Sequence, residues 1–433
     1  MVRSHVLFAV LISLLIPCLC AQDPASPDVK ERRKAARALA SQGTQGLPWL
    51  ERLLSDPDLD VRIEAVKSIV EINTEKSLNP LLQATRDSDP EVQIRATDGL
   101  VNFYLPGYVQ SGLGATLRRT GRQLKGRFTD TNDQVIDPFL KPRPEIVAAL
   151  GKLARGGASM ESRANAARAI GVLRGKDATP DLIEAIKSTK DSQVIYEGLI
   201  AFQKIRDRSV APQLTFLLRD LDERVQVAAV ETQGLLYNKD ALPRLREVLS
   251  RTDRKEVRRA ALRSIAMLPD PANRPLLLRY LEDKDDDLRE ASLEGLGRIA
   301  DPQDLPAVEK RWADETKNSP RISAAFALVM LGKTEVSELS PMRYLVDTLN
   351  SSARAGEARA LLVETARKPE VRPVLRECTV RGTDDEKIYL AQVLAASGDS
   401  EDVSTLERLS RDPEVKVAQE GLRALRTLKA RVH

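Results

Sequence analysis

Residues 212–236 read PQLTFLLRDLDERVQVAAVETQGLL. Leu214, Leu217 and Leu218 fall at i, i+3 and i+4, one face of a short helix. Pro212 suits the first turn of that helix, where a backbone amide would lack a partner anyway. The polar connection RDLD follows, and its Asp222 is a good N-cap for a second helix. In that second helix Val225, Ala228, Ala229, Thr232 and Leu236 make another apolar stripe. The sequence YNKD then turns the chain and ALPRLREVL starts the pattern again. Such a helix pair is too small to fold alone and must bury its apolar side against a copy of itself.

Copies are present along the whole chain. Prolines ahead of apolar helical runs stand at 48, 80, 180, 212, 243, 275, 306, 341 and 373. Apart from the step after Pro80, they are 31, 32 or 35 residues apart. A second marker, an apolar residue that opens the next run, gives Val61, Val92, Val194, Val225, Val257 and Leu288 with the same spacing. Two rulers with one period establish an internal repeat. The expected fold is all-α, a right-handed α-solenoid of about eleven stacked helix pairs with a period of about 31–32 residues. Composition agrees, since aromatics are only 4% of the chain and charged residues 30%, poor material for one large core and good material for many small amphipathic helices.

The segments DPDLDVRIEAVKSI (56–69), DPEVQIRATDGL (89–100), DDDLREASLEGLGRIADPQDLPAV (285–308) and DPEVKVAQEGLRAL (412–425) resemble HEAT repeats, closest to the short bacterial type of phycobilin-lyase-like proteins. The shared pattern is an acidic turn, often with Pro, then Val-Arg, a small residue, and Leu-Gly before the next turn. The resemblance covers nearly all of residues 28–430 and weakens at ERRKAARALA (31–40) and over 335–400. It implies that second helices line a concave, partner-binding surface. The recurrent Arg62, Arg258 and Arg289 are expected to form solvated pairs between repeats with turn acids such as Asp58, Asp222 and Asp286.

Residues 1–20 stand outside the repeat. A basic start at Arg3, an apolar run from Val6 to Cys20 and small residues near a cut after Cys20 or Ala21 read as a secretory signal peptide. The apolar run, 15 residues broken by Pro17, is short for a membrane anchor, which takes about 20. The expected product, 21–433, is exported to the periplasm or beyond. A lipoprotein, lipidated at Cys18 or Cys20, is the lesser option, because Pro17 and Leu19 sit where such signals carry small residues. Cleavage leaves Cys378 as the single cysteine, read as a buried, inert thiol with no disulfide.

Chemistry-bearing motifs are sparse. The two histidines are His5, in the signal segment, and His433, the last residue. That excludes Ser-His-Asp, Cys-His and HExxH arrangements and leaves zinc without soft ligands. DKDDDLREASLE (283–294) spaces Asp283, Asp285, Asp287 and Glu294 like a calcium loop, but Leu288 occupies the position that needs Gly. GVLRGKD (171–177) is one residue short of a phosphate loop, and Gly171 and Gly175 read as helix-end glycines. Carboxylates lie mainly at turns, where solvation keeps them ordinary. The reading is a non-enzymatic scaffold without cofactor or metal. With 67 basic and 63 acidic residues, net +4, the chain gives no case for nucleic acid. The expected partner is a protein and the expected state a monomer.

One place breaks the period. Val92 to Ser162 exceeds one repeat by 39 residues, placing an insertion at 105–143 between ATDGLVNFY and PEIVAALGKLARG. It carries seven basic residues against Asp130, Asp133 and Asp137. A short basic amphipathic helix across 113–125 is compatible with Leu113, Leu117 and Leu124, although Gly114 and Gly121 weaken it. Three readings stand: a loop packed over its neighbours, a protein-binding projection, and a contact with an anionic membrane surface or glycan. The partner-binding candidates are Tyr108, Arg118, Arg119, Arg122, Lys125, Arg127 and Phe128 here, with Arg258 and Arg259 from the basic run RTDRKEVRRAALR (251–263). The bland reading of that run is a solvated face. Pigment handling, implied by the lyase resemblance, is an intracellular activity and conflicts with export.

Overall fold

The computed structural model describes residues 23–108, 134–137 and 139–432. Every regular element among them is helical. Eleven helix pairs follow one another, from Leu47–Leu53 with Leu59–Ile72 to Val403–Leu409 with Val415–Val432. They are preceded by helix Val29–Ala40, which has no first helix of its own among the described residues and stacks on Leu59–Ile72. The chain is an α-solenoid.

The repeated acidic turn has a definite job. Asp28, Asp58, Asp89, Asp191, Asp222 and Asp285 all adopt extended backbone, and each side chain accepts from amides at the start of the second helix that follows. Each such cap is worth about 1 kcal/mol. First helices are shorter, and several carry Pro in the first turn, as in Thr179–Lys187 and Leu242–Arg251. The founding example differs: Arg208–Arg219 is a 3₁₀ helix with Pro212 inside it. Its start moves four residues upstream because Asp207 caps it, accepting from the Ser209 amide.

Contacts divide the chain into two compact units, residues 23–108 with 142–169, and 134–141 with 170–432. In the first, Leu50, Ile69, Leu81, Leu100, Ile146 and Leu150 are fully buried between helix layers. In the second, Phe202 and Phe326 are the largest fully buried side chains. Second helices there approach one another closely. A Cβ on Gly171 would lie 2.7 Å from Ala201 Cα, and one on Gly234 2.8 Å from Ser264 Cα. Gly171, in the last turn of helix Met160–Val172, is therefore a packing residue as well.

Of the expected arginine pairs, Arg289 with Asp286 forms, while Arg62 finds a different acid and Arg258 a carbonyl. Arg62 donates to the Asp87 carboxylate of the next repeat at 2.8 Å and to its own turn at the Asp56 carbonyl. Asp58 and Asp222 are occupied as helix caps. Arg289 holds Asp286 and also the buried Glu315 at 2.9 Å. Arg258 bonds the Thr252 carbonyl instead of an acid. In the run 251–263, Lys255 and Arg259 both reach Asp285 and Arg263 lies between Glu231 and Asp287, while Arg251, Lys255 and Glu256 remain exposed. Cys378 is buried, and burial pushes its thiol up to about 11 against the opposing pull of Arg343. Such a thiol is a poor nucleophile.

Candidate binding face

Where a second helix ends, the chain must reverse, and in several repeats it does so through one left-handed residue. Asn73, Arg174, Arg206, Tyr237 and Ala300 have φ between 45° and 63°. Gly and Asn suit this conformation, while other residues carry a steric cost of about 1–2 kcal/mol. In two successive repeats the position is held by arginine.

Arg174 and Arg206 line one cavity of about 380 Å³ with Gln203, Glu231, Arg263 and Met267. Val135 forms part of its wall, brought there by a short stretch without regular structure. The Ile136 amide in that stretch donates to the Val172 carbonyl at 3.0 Å, and the Ile136 side chain is buried. Asp137 pairs with Arg423 of the last helix. Residues 134–137 are thus tied into the second unit at three points.

The cavity is short of negative charge. Arg263 has Glu231 at 3.7 Å and Asp287 at 3.6 Å. Among the described residues, Arg174 and Arg206 have no carboxylate partner. Arg206 donates only to the Leu235 carbonyl, at 3.3 Å. Its tip reaches solvent, yet protein flanks it so closely that desolvation, opposed by Tyr237 and reinforced by Arg174, pulls its pKa below the usual arginine value. It remains a cation.

The adjoining helices carry the opposite sign. Burial pushes the Glu290 carboxyl up to about 7, with Glu294, Glu357 and Asp287 adding to the effect and Arg263 opposing it. Glu357 is raised by burial as well, against a hydrogen bond from Ser319. These carboxylates depart from the expectation of ordinary, turn-borne acids because they sit on second helices among one another. Arg298 is held protonated by Glu294 and Glu364 despite its burial. Among the described residues no group of three or more acids, cysteines or histidines could hold a metal ion.

A sequence profile described as HEAT repeats matches residues 16–101, 147–232, 190–266 and 242–329, more than half of the chain. The chain belongs to the HEAT-repeat family. Comparison with curated proteins gives no match. Among solved structures, this HEAT-repeat protein is similar to the complex of CpcE and CpcF of phycocyanin lyase from Nostoc sp. PCC7120, with 20% identity over 69% of this chain and 92% of that one and a TM-score of 0.32. It is similar to YibA of Escherichia coli, with 16% identity over 71% and 98% and a TM-score of 0.41. An engineered protein gives 19% identity over 94% and 97%, with a TM-score of 0.34. These are likenesses of fold.

Three of the candidates chosen from sequence lie among the described residues of this HEAT-repeat protein. Tyr108 is half-buried just past helix Pro90–Tyr104, its amide donating to the Leu105 carbonyl. Arg118, Arg119, Arg122, Lys125, Arg127 and Phe128, and the amphipathic stretch 113–125, lie outside the described residues, as does the signal segment. Arg258 and Arg259 are consumed by the fold, Arg259 bonding Asp285 and Asp287. Arg174, Arg206 and Glu290 escaped the sequence reading. Arginine in the register of Asn73, where the repeat ends its second helix, was the available signal for the first two.

Proposed function

We propose that this HEAT-repeat protein is exported and acts, without catalysis, as a scaffold that binds a protein partner through its concave second-helix face and the 105–143 insertion. The observation that supports this reading is a pair of arginines, Arg174 and Arg206, that line one cavity at the ends of second helices with no carboxylate partner among the described residues. Exposed cations gathered at one hollow present charge for something outside the chain. Export rests on the Val6–Cys20 segment, and mass analysis of the protein recovered from cells checks it: removal of the first 20 or 21 residues is expected.

Affinity capture from the envelope fraction tests the scaffold. The protein is compared with a variant in which 109–133 is replaced by a short Gly-Ser link, keeping Val135, Ile136 and Asp137 in place. One partner captured by both locates recognition on the helix face; loss with the replacement assigns it to the insertion. Retention on anionic vesicles that vanishes in high salt, with no protein captured, would replace this reading by membrane-surface binding.

A further inference from the structure

In the second unit several cations on second helices are neutralised locally. Lys255 and Arg259 share Asp285, Arg289 holds Glu315, and Arg298 holds Glu294 and Glu364. Arg174 and Arg206 break the pattern. They occupy the same register of neighbouring repeats, both line one cavity, and neither has a carboxylate among the described residues. Left-handed backbone does not single them out, since Tyr237 and Ala300 carry the same strain. Sharing one cavity does. Two guanidinium groups facing one hollow repel each other, and of the residues that line it Glu231 is the one carboxylate, set 3.7 Å from Arg263.

The hollow suits a ligand. Its volume of about 380 Å³ lies within the usual range of small-ligand sites, roughly 300–1,000 Å³. Gln203 on the wall spends its amide nitrogen on the Ala228 carbonyl and the Thr232 hydroxyl, which leaves the arginines as the donors, and Met267 and Val135 give an apolar rim. Arginine presents donors in a planar fork that matches carboxylate and phosphate oxygens two at a time.

We infer that Arg174 and Arg206 form an oxyanion-binding site, built to take a carboxylate or phosphoryl group into the cavity beside Val135. The anion has two sources, a free small molecule or an acidic side chain of the partner proposed above. Only the second source rests on the scaffold reading. The site itself does not.

The test is a double substitution that spares the fold. Asn73 fills the equivalent position of an earlier repeat in the same left-handed conformation, so Arg174→Asn with Arg206→Asn keeps a residue type the backbone favours. Inorganic phosphate, citrate and a fluorescein-labelled decaglutamate peptide are titrated against the exported-length protein at low salt, by calorimetry for the first two and anisotropy for the third. Saturable binding of at least one probe is expected, weakened tenfold or more in the double variant, with a thermal midpoint equal to or above that of the parent. Binding of phosphate or citrate identifies a free anion as the source; binding of decaglutamate alone identifies acidic side chains. Absence of saturable binding for all three, or equal affinity in the variant, overturns the inference. A captured partner retained by the double variant while all titrations fail would remove this site and leave the scaffold standing. Titration that succeeds without any captured partner would do the reverse.

Discussion

Ala300 ends helix Asp286–Ile299 at φ 54°, a left-handed conformation that an alanine Cβ resists. Ala300→Gly is therefore expected to raise the unfolding free energy by about 1 kcal/mol, read as a higher urea midpoint at unchanged slope. Glu315 presents the opposite case. It is 2% exposed, holds Arg289, and accepts from the amides of Thr316 and Lys317. Burial disfavours its charge, but the Arg289 hydrogen bond and the Lys317 amide outweigh that and keep its pKa below the usual glutamate value. Removing one partner of a buried pair leaves the other charge uncompensated, so Glu315→Ala should cost about 3 kcal/mol at neutral pH. A carboxyl with a depressed folded pKa contributes above its unfolded pKa and loses that contribution as pH falls through the folded one. The gap between parent and variant melting temperatures should therefore narrow in acid. If it stays constant down to pH 3, the pair does not stabilise the fold through charge.

At the scale of elements, the second helices do more than stack. Asp286–Ile299 brings Glu290 and Glu294 toward Glu357 of Ala355–Thr365, with Arg263 of Lys255–Ala266 and Asp287 as the other charges nearby. Glu290 titrates near 7 when folded and near its ordinary 4.5 when unfolded. Its sign is the reverse of Glu315: the native state prefers the proton, so stability present at acid pH is lost as pH rises through about 7. Glu290→Gln should stabilise the protein at pH 8 and have little effect at pH 4, measured by denaturant unfolding at both values. Equal effects at the two pH values would mean that Glu290 is solvated like the turn acids. The same helices show why a basic run in sequence is a weak pointer. Arg259 looked available because helical spacing put it off the apolar stripe, but the adjacent repeat supplies Asp285 and Asp287 at that spot.

For the molecule as a whole, a repeat array distributes its stability through nearest neighbours. Phe326 is fully buried in Asn318–Met330, and Phe326→Ala removes about 3–5 kcal/mol of local packing. Amide exchange should accelerate in Asn318–Met330 and in its neighbours Asp286–Ile299 and Ala355–Thr365, and remain unchanged in Leu59–Ile72. Uniform acceleration along the chain would indicate a single cooperative core. The architecture was legible in the sequence because each unit repeats the same local instructions: an aspartate that caps, an apolar stripe of period 3.6, a proline that opens the next helix. These act within a few residues and need no knowledge of the rest. Partnerships between repeats were not legible in the same way. Asp58 caps while Asp87 takes Arg62, and Gly171 admits the backbone of Ala201. The cavity beside Val135 follows the same logic, because it needs residues 135, 174, 206 and 263 in one place. Sequence by itself determined that this chain is a HEAT solenoid built of capped helix pairs. Tertiary structure alone decided which charges are matched and which are left to a ligand, because pairing depends on distances across repeats that no local pattern encodes.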